Sequence, residues 1–196
     1  MHAGMNFTKF SGRAVSILRN NIDTDQIIPA RYVPYFSWSG YSNALFARWR
    51  LEPEFVLNMP YSQGASILFV GHNFGCGSSR ESAVWALQQS GFRMVIANSF
   101  ADIFLTNALS CGLAVAKVDS YVSEAVHDRL IKFPFSEMSV DFNNRSFVVD
   151  NQQLFEFEIS DSNLEKLRSA SEALEVASMR VGMVRDYLRK RGEVDV

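Results

Sequence analysis

The sequence has few cysteines and no long apolar run, and each shortage excludes a class of protein. Its 196 residues include only two cysteines, Cys76 and Cys111. These are too few for a disulfide scaffold, or for a Cys₄ zinc site or iron–sulfur cluster held by this chain alone. The longest apolar stretches, such as residues 67–70, are far shorter than a membrane span. Because residues 1–10 contain no apolar segment typical of a signal peptide, we expect a cytoplasmic protein with reduced thiols.

The sequence also has no large excess of positive or of negative residues. Lys and Arg number 19 and Asp and Glu 21, a net charge of −2, which argues against a general nucleic-acid or anionic-membrane surface. Hydrophobic residues (47%) and charged residues (20%) occur at the levels of an ordinary globular protein. The length favours one large domain with a full hydrophobic core. We therefore expect a single domain over residues 1–196, in which 160–196 form a helical C-terminal extension.

The middle of the chain alternates short apolar runs with helical periodicity. Three continuous apolar runs predict buried strands, at residues 65–70, 94–97 and 113–118. Two helical patterns separate them, each starting at a serine and ending before a glycine, at residues 78–90 and 99–110. Strand–helix–strand–helix–strand at this spacing predicts two βαβ units in a parallel sheet.

The flanking regions predict further strands and helices. We expect an opening strand within residues 7–19, a short helix at 43–50 and another helix at 121–132. Three alternating stretches with asparagine-containing turns between them predict an antiparallel meander, at residues 139–142, 146–149 and 154–159. The charged region after Ser160 predicts two helices, the second ending near Lys190. The predicted fold class is therefore α/β, with a mixed sheet, βαβ units, an antiparallel β meander and C-terminal helices.

The most informative local feature is the glycine-rich turn at residues 75–81 (GCGSSRE), between a predicted buried strand and a helix. Glycine lets the backbone approach a ligand closely, and the start of a helix offers free N–H groups to an anion. Arg80 adds a planar guanidinium suited to a carboxylate. Together they predict an anion site that could also stabilise an alkoxide. An ordinary N-capped helix, with Ser78 and Glu81 as a capping box, explains the same residues equally well. Cys76 is expected to be a small packed residue rather than a reactive thiol.

Other candidate residues have simpler alternatives. Asp23 and Asp25 lie two residues apart in a predicted loop, where they could orient a base, bind a cation or pair with an arginine. An Asx-turn is the simpler explanation. His72 is expected to be a turn residue and His127 a surface residue. Residues 75–77 form only half of a dinucleotide-binding pattern, and the sequence has no phosphate-binding P-loop, so nucleotide binding has little support.

Three motifs occur in one order: residues 21–29 (NIDTDQIIP), 73–81 (NFGCGSSRE) and 99–104 (SFADIF). So arranged, they resemble the small subunit of bacterial 3-isopropylmalate dehydratase. That family is the separate-chain version of the swivelling domain of the aconitase superfamily, which implies a three-layer β/β/α domain. The resemblance covers about residues 7–159. Beyond it, residues 169–173 stand where the family often has a Gly-Leu-Asp-type turn between its last helices.

The resemblance implies a hydro-lyase of leucine biosynthesis that interconverts 2-isopropylmalate and 3-isopropylmalate through isopropylmaleate, by dehydration and rehydration. It implies activity only in a heterodimer with a large subunit. A [4Fe–4S] cluster in that large subunit would act as the Lewis acid, and we expect no cofactor or metal in the present chain. The expected substrate is a small dicarboxylate, and neither nucleic acid nor a membrane is an expected partner. Two alternatives stay open: a related hydro-lyase of the homoaconitase or methylmalate/citraconate type, and a stand-alone anion-binding regulatory module.

The resemblance also implies roles for individual residues. Ser78 corresponds to the base that removes the proton next to a carboxylate, and Asp25 to an acid that supports this catalytic site. The expected substrate-binding residues are Ser79, Arg80 and Arg31. The expected supporting loop residues are Asp23, Thr24, Asn73, Gly75, Cys76 and Gly77. The aromatic-rich residues 31–41 either select the isopropyl substituent or pack against the large subunit, and we expect residues 31–50 to be mobile without that partner.

Overall fold

The computed structural model describes residues 7–35, 40–78 and 80–190, and its strands form one seven-stranded mixed sheet. Four strands form its parallel part: β1 (Lys9–Ile17), β2 (Ala65–Val70), β3 (Met94–Ala97) and β4 (Ala114–Lys117). Two helices make the crossovers: α2 (Glu81–Gln89) between β2 and β3, and α3 (Asp102–Ser110) between β3 and β4. The apolar runs of β2 and β3 are buried almost throughout, as expected for central strands covered on both faces. The two predicted βαβ units are confirmed.

The remaining strands form the predicted antiparallel meander. The helix α4 (Ser120–Lys132) precedes β5 (Glu137–Asp141), β6 (Ser146–Val149) and β7 (Gln153–Glu156). The strand β5 pairs with β1, so the sheet order is β4-β3-β2-β1-β5-β6-β7. Buried residues alternate with exposed or half-buried ones along β5 and β6, which is the pattern that predicted them.

The sheet curls until its two edges meet. Lys117, at the end of β4, and Glu158, just after β7, exchange backbone hydrogen bonds with N···O distances of 2.9 and 2.7 Å. The rings of Phe69 on β2 and Phe147 on β6 have centroids 5.7 Å apart, although two strands separate β2 from β6 in the sheet. Two strand layers therefore enclose the core, and α3 and α4 pack against strands. This confirms the predicted β/β/α arrangement.

The helix α2 begins two residues later than a cap at Ser78 would place it. Its N-cap is Arg80, which makes no side-chain capping bond, and its first residue is Glu81. The alternative explanation of these residues, a capping box formed by Ser78 and Glu81, is therefore wrong. The backbone of Ser78 is instead drawn into a tertiary contact, because its carbonyl accepts a hydrogen bond from the hydroxyl of Thr24. The predicted stop is confirmed, since Gly91 follows the helix with a φ of +99°.

The helix α3 shows the same displacement. Its N-cap is Ala101 rather than Ser99, and Ala101 has no side chain that could accept a hydrogen bond. The hydroxyl of Ser99 accepts a hydrogen bond from the N–H of Asn73 at 2.8 Å instead, which joins two loops. Gly112 ends this helix with a φ of +74°, as predicted.

Between α1 (Thr24–Ile27) and β2 the chain forms short 3₁₀ turns, so the predicted helix at 43–50 is wrong. These turns are Ala30–Tyr35, Tyr41–Ala44, Trp49–Leu51, Val56–Asn58 and Pro60–Ser62. Phe46 interrupts any regular helix because its φ is +50°. Residues 36–39, within the aromatic-rich segment 31–41, lie outside the described residues. The mobility of residues 31–50 stays a prediction.

After the meander the chain forms one continuous helix, α5 (Asp161–Lys190), and not the two helices predicted. Residues 169–173 (SASEA) contain neither glycine nor proline, so nothing in that stretch ends the helix. α5 contacts α3, and its first half buries Leu164 and Leu167. Within the described part of the chain, no helix combines the length and hydropathy that crossing a membrane requires.

Candidate active site

The loops that follow β1, β2 and β3 meet at the carboxyl ends of these parallel strands, where open α/β sheets bind ligands. A backbone hydrogen bond from Gly75 to the carbonyl of Ile22, at 2.7 Å, joins the first and second loops. Another from Phe74 to the carbonyl of Ser99, at 3.0 Å, joins the second and third. The three sequence motifs are thereby brought to one place.

The glycine-rich turn is shaped by left-handed backbone at Gly75 and Gly77, whose φ angles are +76° and +85°. Gly75 also lies against the ring of Phe104, so a Cβ at this position would overlap that ring. A Cβ at Gly77 would meet only ordinary contacts. Asn73, just before the turn, has a φ of +55°, and its side-chain amide donates to the first loop at 2.9 Å. The turn therefore has a fixed backbone against the first and third loops.

Asp23 caps the one-turn helix α1. Its Oδ1 accepts from the N–H of Gln26 at 2.7 Å, and Gln26 Oε1 accepts from the N–H of Asp23 at 2.9 Å, which is a reciprocal capping box. Asp23 is thus a helix cap and not the Asx-turn that was the simpler explanation, because its side chain accepts from the residue three positions on. Thr24, the first residue of α1, is buried, and its hydroxyl donates to the carbonyl of Ser78 at 2.6 Å.

Asp25 lies between a backbone amide and two guanidinium groups. Its Oδ1 accepts from the N–H of Ala30 at 2.9 Å and from Arg80 Nη1 at 3.0 Å. Its Oδ2 lies 3.5 Å from Arg48 Nη2. The hydrogen bond from Ala30, followed by that from Arg80, holds the pKa of the Asp25 carboxyl below its usual value. Asp25 is therefore ionised at neutral pH. Of the roles that the sequence allowed for it, pairing with an arginine is the one that the structure shows.

Arg80 and Ser78 are both reachable from solvent. The Arg80 side chain is 24% exposed, and its Nη1 also donates to the carbonyl of Ile28 at 3.3 Å. Its Nε and Nη2 have no hydrogen-bond partner among the described residues. Ser78 is exposed, and no group in the described ranges bonds to its hydroxyl. A small acid can therefore reach both side chains. Ser79, predicted to bind substrate, lies outside the described residues.

Among the described residues Arg31 makes no contact with this group, whereas Arg48 does. The guanidinium of Arg31 lies 5.0 Å from the ring centroid of Tyr32 and donates to the hydroxyl of the same residue, and no described contact joins it to Asp25. Arg48 was not a candidate in the sequence, because an arginine in a predicted surface helix is unremarkable there. Only its position near Asp25 distinguishes it.

The two candidate histidines lie away from the ion pair. His72 is an exposed turn residue, as predicted, and its Nε2 lies 3.1 Å from Ser120 Oγ at the start of α4. The prediction for His127 is wrong, because this residue is partly buried between α4 and β1. Its Nδ1 lies 2.9 Å from Ser16 Oγ. Neither histidine faces a group of acidic or cysteine side chains in the described part of the chain.

The cysteines have the properties of structural thiols. Burial, helped by the negative charge of Asp23, raises the pKa of the Cys76 thiol. Burial and the carboxylate of Glu81 raise the pKa of Cys111 to about 12. Among the described residues, no three His, Cys, Asp or Glu side chains lie together in a way that could hold a metal ion. The described residues therefore do not fit a metal or cluster site.

A groove of about 650 Å³ follows the closure of the sheet near Lys117 and Glu158. It contains neither Asp25, Ser78 nor Arg80, so it lies apart from the ion pair and the glycine-rich turn. We therefore place the candidate active site at the converging loops, where the ion pair and the exposed serine form an open surface.

Residues 5–119 match the aconitase C-terminal domain family, a span that contains all three motifs. The crystal structure of 3-isopropylmalate dehydratase from Methanocaldococcus jannaschii has the same fold. The two structures agree with a TM-score of 0.66 over 91% of this chain and 99% of that one, at 24% sequence identity. The fold and the three converging loops thus define a domain of the aconitase C-terminal class.

Three similar relatives narrow this class. The 3-isopropylmalate dehydratase small subunit of Herpetosiphon aurantiacus is 48% identical over 145 residues, which are 74% of each chain. That of Streptomyces coelicolor is 38% identical over 185 residues, 94% of this chain and 93% of its own. That of Thermobifida fusca is 39% identical over 186 residues, 94% of both chains. The present chain belongs to the family of 3-isopropylmalate dehydratase small subunits.

Proposed function

We propose that this chain is the small subunit of a 3-isopropylmalate dehydratase, a cytoplasmic hydro-lyase of leucine biosynthesis. Its reaction interconverts 2-isopropylmalate and 3-isopropylmalate through isopropylmaleate. Family membership supports the reaction, and the ion pair between Asp25 and Arg80, next to the turn that carries Ser78, is the observation that carries the proposal. A guanidinium and a hydroxyl are the groups needed to bind a carboxylate and remove the proton next to it.

Arg80 is proposed to bind one carboxylate of the substrate. Asp25 and the carbonyl of Ile28 hold its Nη1, so the guanidinium plane is fixed before substrate arrives. The Nε and Nη2 groups then present the geometry that binds a carboxylate through two parallel hydrogen bonds. Asp25 acts on the substrate through Arg80, because its oxygens are already engaged and its lowered pKa keeps it from donating a proton at neutral pH. We propose it as a positioning residue.

Ser78 is proposed to be the base. A serine removes a proton efficiently only as an alkoxide, which positive charge must stabilise. The helix α2 begins three residues beyond Ser78, and a helix terminus contributes about 0.3–1 kcal/mol to a nearby anion. At about 1.36 kcal/mol per pH unit, that lowers the pKa of the hydroxyl by less than one unit. Arg80 and donors from a partner must supply most of the stabilisation, in a site from which water is excluded.

The open surface at this site supports completion by a large subunit. Ser78 and Arg80 both reach solvent, whereas an active site that stabilises an alkoxide has to exclude water. We propose that the large subunit covers these loops. The [4Fe–4S] cluster that the resemblance implies for that subunit would supply a Lewis acid for the departing hydroxyl, and the two cysteines of the present chain are too few to hold it.

The site discriminates less strongly between different substituents on the malate than between substrates with and without the two carboxylates. One methylene in an apolar pocket changes binding by only about 1–3 kcal/mol, so related substituted malates are expected to react slowly. We propose that residues 31–41 contribute to the isopropyl pocket, and substrates of the homoaconitase or citraconate type are the comparisons that test this choice.

The direct test is to purify this chain with a candidate large subunit and measure turnover of 3-isopropylmalate. We expect no turnover by the chain alone, activity in the complex, and lower kcat/KM for citramalate and homoisocitrate. A complex that assembles and turns over none of these substrates would contradict the proposal. Tight binding of nucleotides to the isolated chain, measured by calorimetry, would instead favour an anion-binding regulatory module.

A further inference from the structure

Arg48 lies opposite Arg80 across the carboxylate of Asp25. Arg80 Nη1 is 3.0 Å from Asp25 Oδ1, and Arg48 Nη2 is 3.5 Å from Asp25 Oδ2. One carboxylate thus faces two guanidinium groups. These three side chains together keep one uncompensated positive charge at the rim of the candidate active site, which suits a substrate with two negative charges.

Stability alone does not explain why Arg48 is there. Its side chain is 57% exposed and that of Asp25 is 38% exposed. Ion pairs this accessible to water add little to stability, because solvent screens them and two side chains lose rotational freedom. Asp25 is already satisfied by Ala30 and Arg80, so a second guanidinium adds charge to the site rather than a needed partner.

The backbone on either side of Arg48 is firmly held. Phe46 is fully buried, and its N–H donates to the carbonyl of Ile27, at the end of α1, at 2.8 Å. Its φ of +50° is a strained value for a bulky residue, and such strain concentrates at functional sites. On the other side, Arg50 Nη1 donates to the carbonyl of Leu57 at 2.9 Å. Arg48 is therefore presented to Asp25 by a segment that is anchored at both ends.

We propose that Arg48 binds the second carboxylate of the substrate while Arg80 binds the first. This inference rests on the proposed function and deepens it, because it explains selection of dicarboxylates over monocarboxylates. Within the described ranges, the Nε and Nη1 groups of Arg48 have no hydrogen-bond partner and are available to an oxygen ligand. A monocarboxylate would leave one of the two guanidinium groups without its anion.

The test is the variant Arg48→Gln in the complex with the large subunit, with 3-isopropylmalate as substrate. We expect KM to rise about 10- to 100-fold, the range for losing a hydrogen bond to a charged group. The kcat should change little, because the contact is present in both the ground state and the transition state. KM should also depend less on ionic strength than in the unmodified complex. Arg48→Lys, which keeps the charge, should recover part of the loss.

Arg145→Gln is the matched control, because it removes the same charge from an exposed arginine. Arg145 lies on the β5–β6 turn and pairs with Asp161. This variant should leave KM unchanged. If Arg48→Gln behaves like Arg145→Gln, or weakens subunit association or kcat without raising KM, the inference is wrong. Activity of the unmodified complex would still support the proposed function in that case, and only its absence would contradict the function itself.

Discussion

The hydroxyl of Thr24 donates a 2.6 Å hydrogen bond to the carbonyl of Ser78, which lies 54 residues further along the chain. The first motif thereby fixes the backbone of the proposed base in the second motif. Thr24 is buried and Ser78 is exposed, so the bond connects the core of the domain to the surface of the candidate active site. The arrangement explains why the loop after β1 and the loop after β2 act as one unit.

Replacing Thr24 by valine tests this connection. The variant keeps the shape of the side chain but removes the donor, which leaves the Ser78 carbonyl without its partner. We expect the free energy of unfolding to fall by about 1–3 kcal/mol. We also expect kcat in the complex to fall about 10- to 100-fold, because a small displacement of a reacting group has effects of this size. Urea unfolding and steady-state kinetics measure the two effects.

Thr24→Ser is the control for that variant, since it retains the hydroxyl. It should keep most of the activity. Equal loss of activity in Thr24→Ser and Thr24→Val would show that packing of the methyl group, and not the hydrogen bond, matters at this position.

The two glycines of the turn should differ in their tolerance of a side chain. Gly75→Ala combines a left-handed φ with overlap on the ring of Phe104, and we expect a loss of about 2–5 kcal/mol in the free energy of unfolding. Gly77→Ala has the left-handed φ without the overlap, so about 1–2 kcal/mol is expected. Chemical unfolding of both variants measures the difference. A cost at Gly77 equal to that at Gly75 would contradict the role given to the Phe104 contact.

The ion pair of Asp25 predicts a pH dependence of stability. The pKa of its carboxyl is lowered in the folded chain from an ordinary value of 3.8. Its charge therefore stabilises the fold fully above that ordinary value, and the contribution disappears as pH falls through the lower folded value. Asp25→Asn should thus be less stable than the unmodified chain at pH 7, by about 0.2–1 kcal/mol for so exposed a pair. The gap should close in strongly acidic solution.

Urea unfolding at a series of pH values measures this gap. Asp128→Asn, an exposed position on α4, is the control for removing one acidic group. A difference between Asp25→Asn and the unmodified chain that is constant from neutral to acidic pH would show that the charge of Asp25 is not what stabilises the loops.

The strands could be predicted because the core leaves little choice of sequence. Residues 65–70 and 94–97 are continuous apolar runs, and the structure buries them in the centre of the sheet. The helix starts could not be predicted in the same way. Ser78 and Ser99 are good capping residues, but their tertiary hydrogen bonds with other loops accompany a shift of both N-caps by two residues, to Arg80 and Ala101. Such contacts between distant segments leave no local pattern.

The residues of the candidate site could likewise be predicted only in part. The motifs predicted that Asp25 and Arg80 belong to one site, and the structure joins them at 3.0 Å. Arg48 was missed because an arginine in the short helix predicted at residues 43–50 is unremarkable, whereas the buried Phe46 with its left-handed backbone sets the course of the chain there. The second arginine at Asp25 is a product of packing, so it becomes visible only in three dimensions.

The most direct test of the proposed chemistry is the kcat of the Ser78→Ala variant in the complex with the large subunit. If Ser78 is the base, kcat for 3-isopropylmalate falls by about 10²- to 10⁴-fold, while KM and subunit association change little. Ser139→Ala, an exposed serine on β5, should retain full activity. A Ser78→Ala complex that keeps near-normal kcat would contradict the assignment of the base and the mechanism built on it.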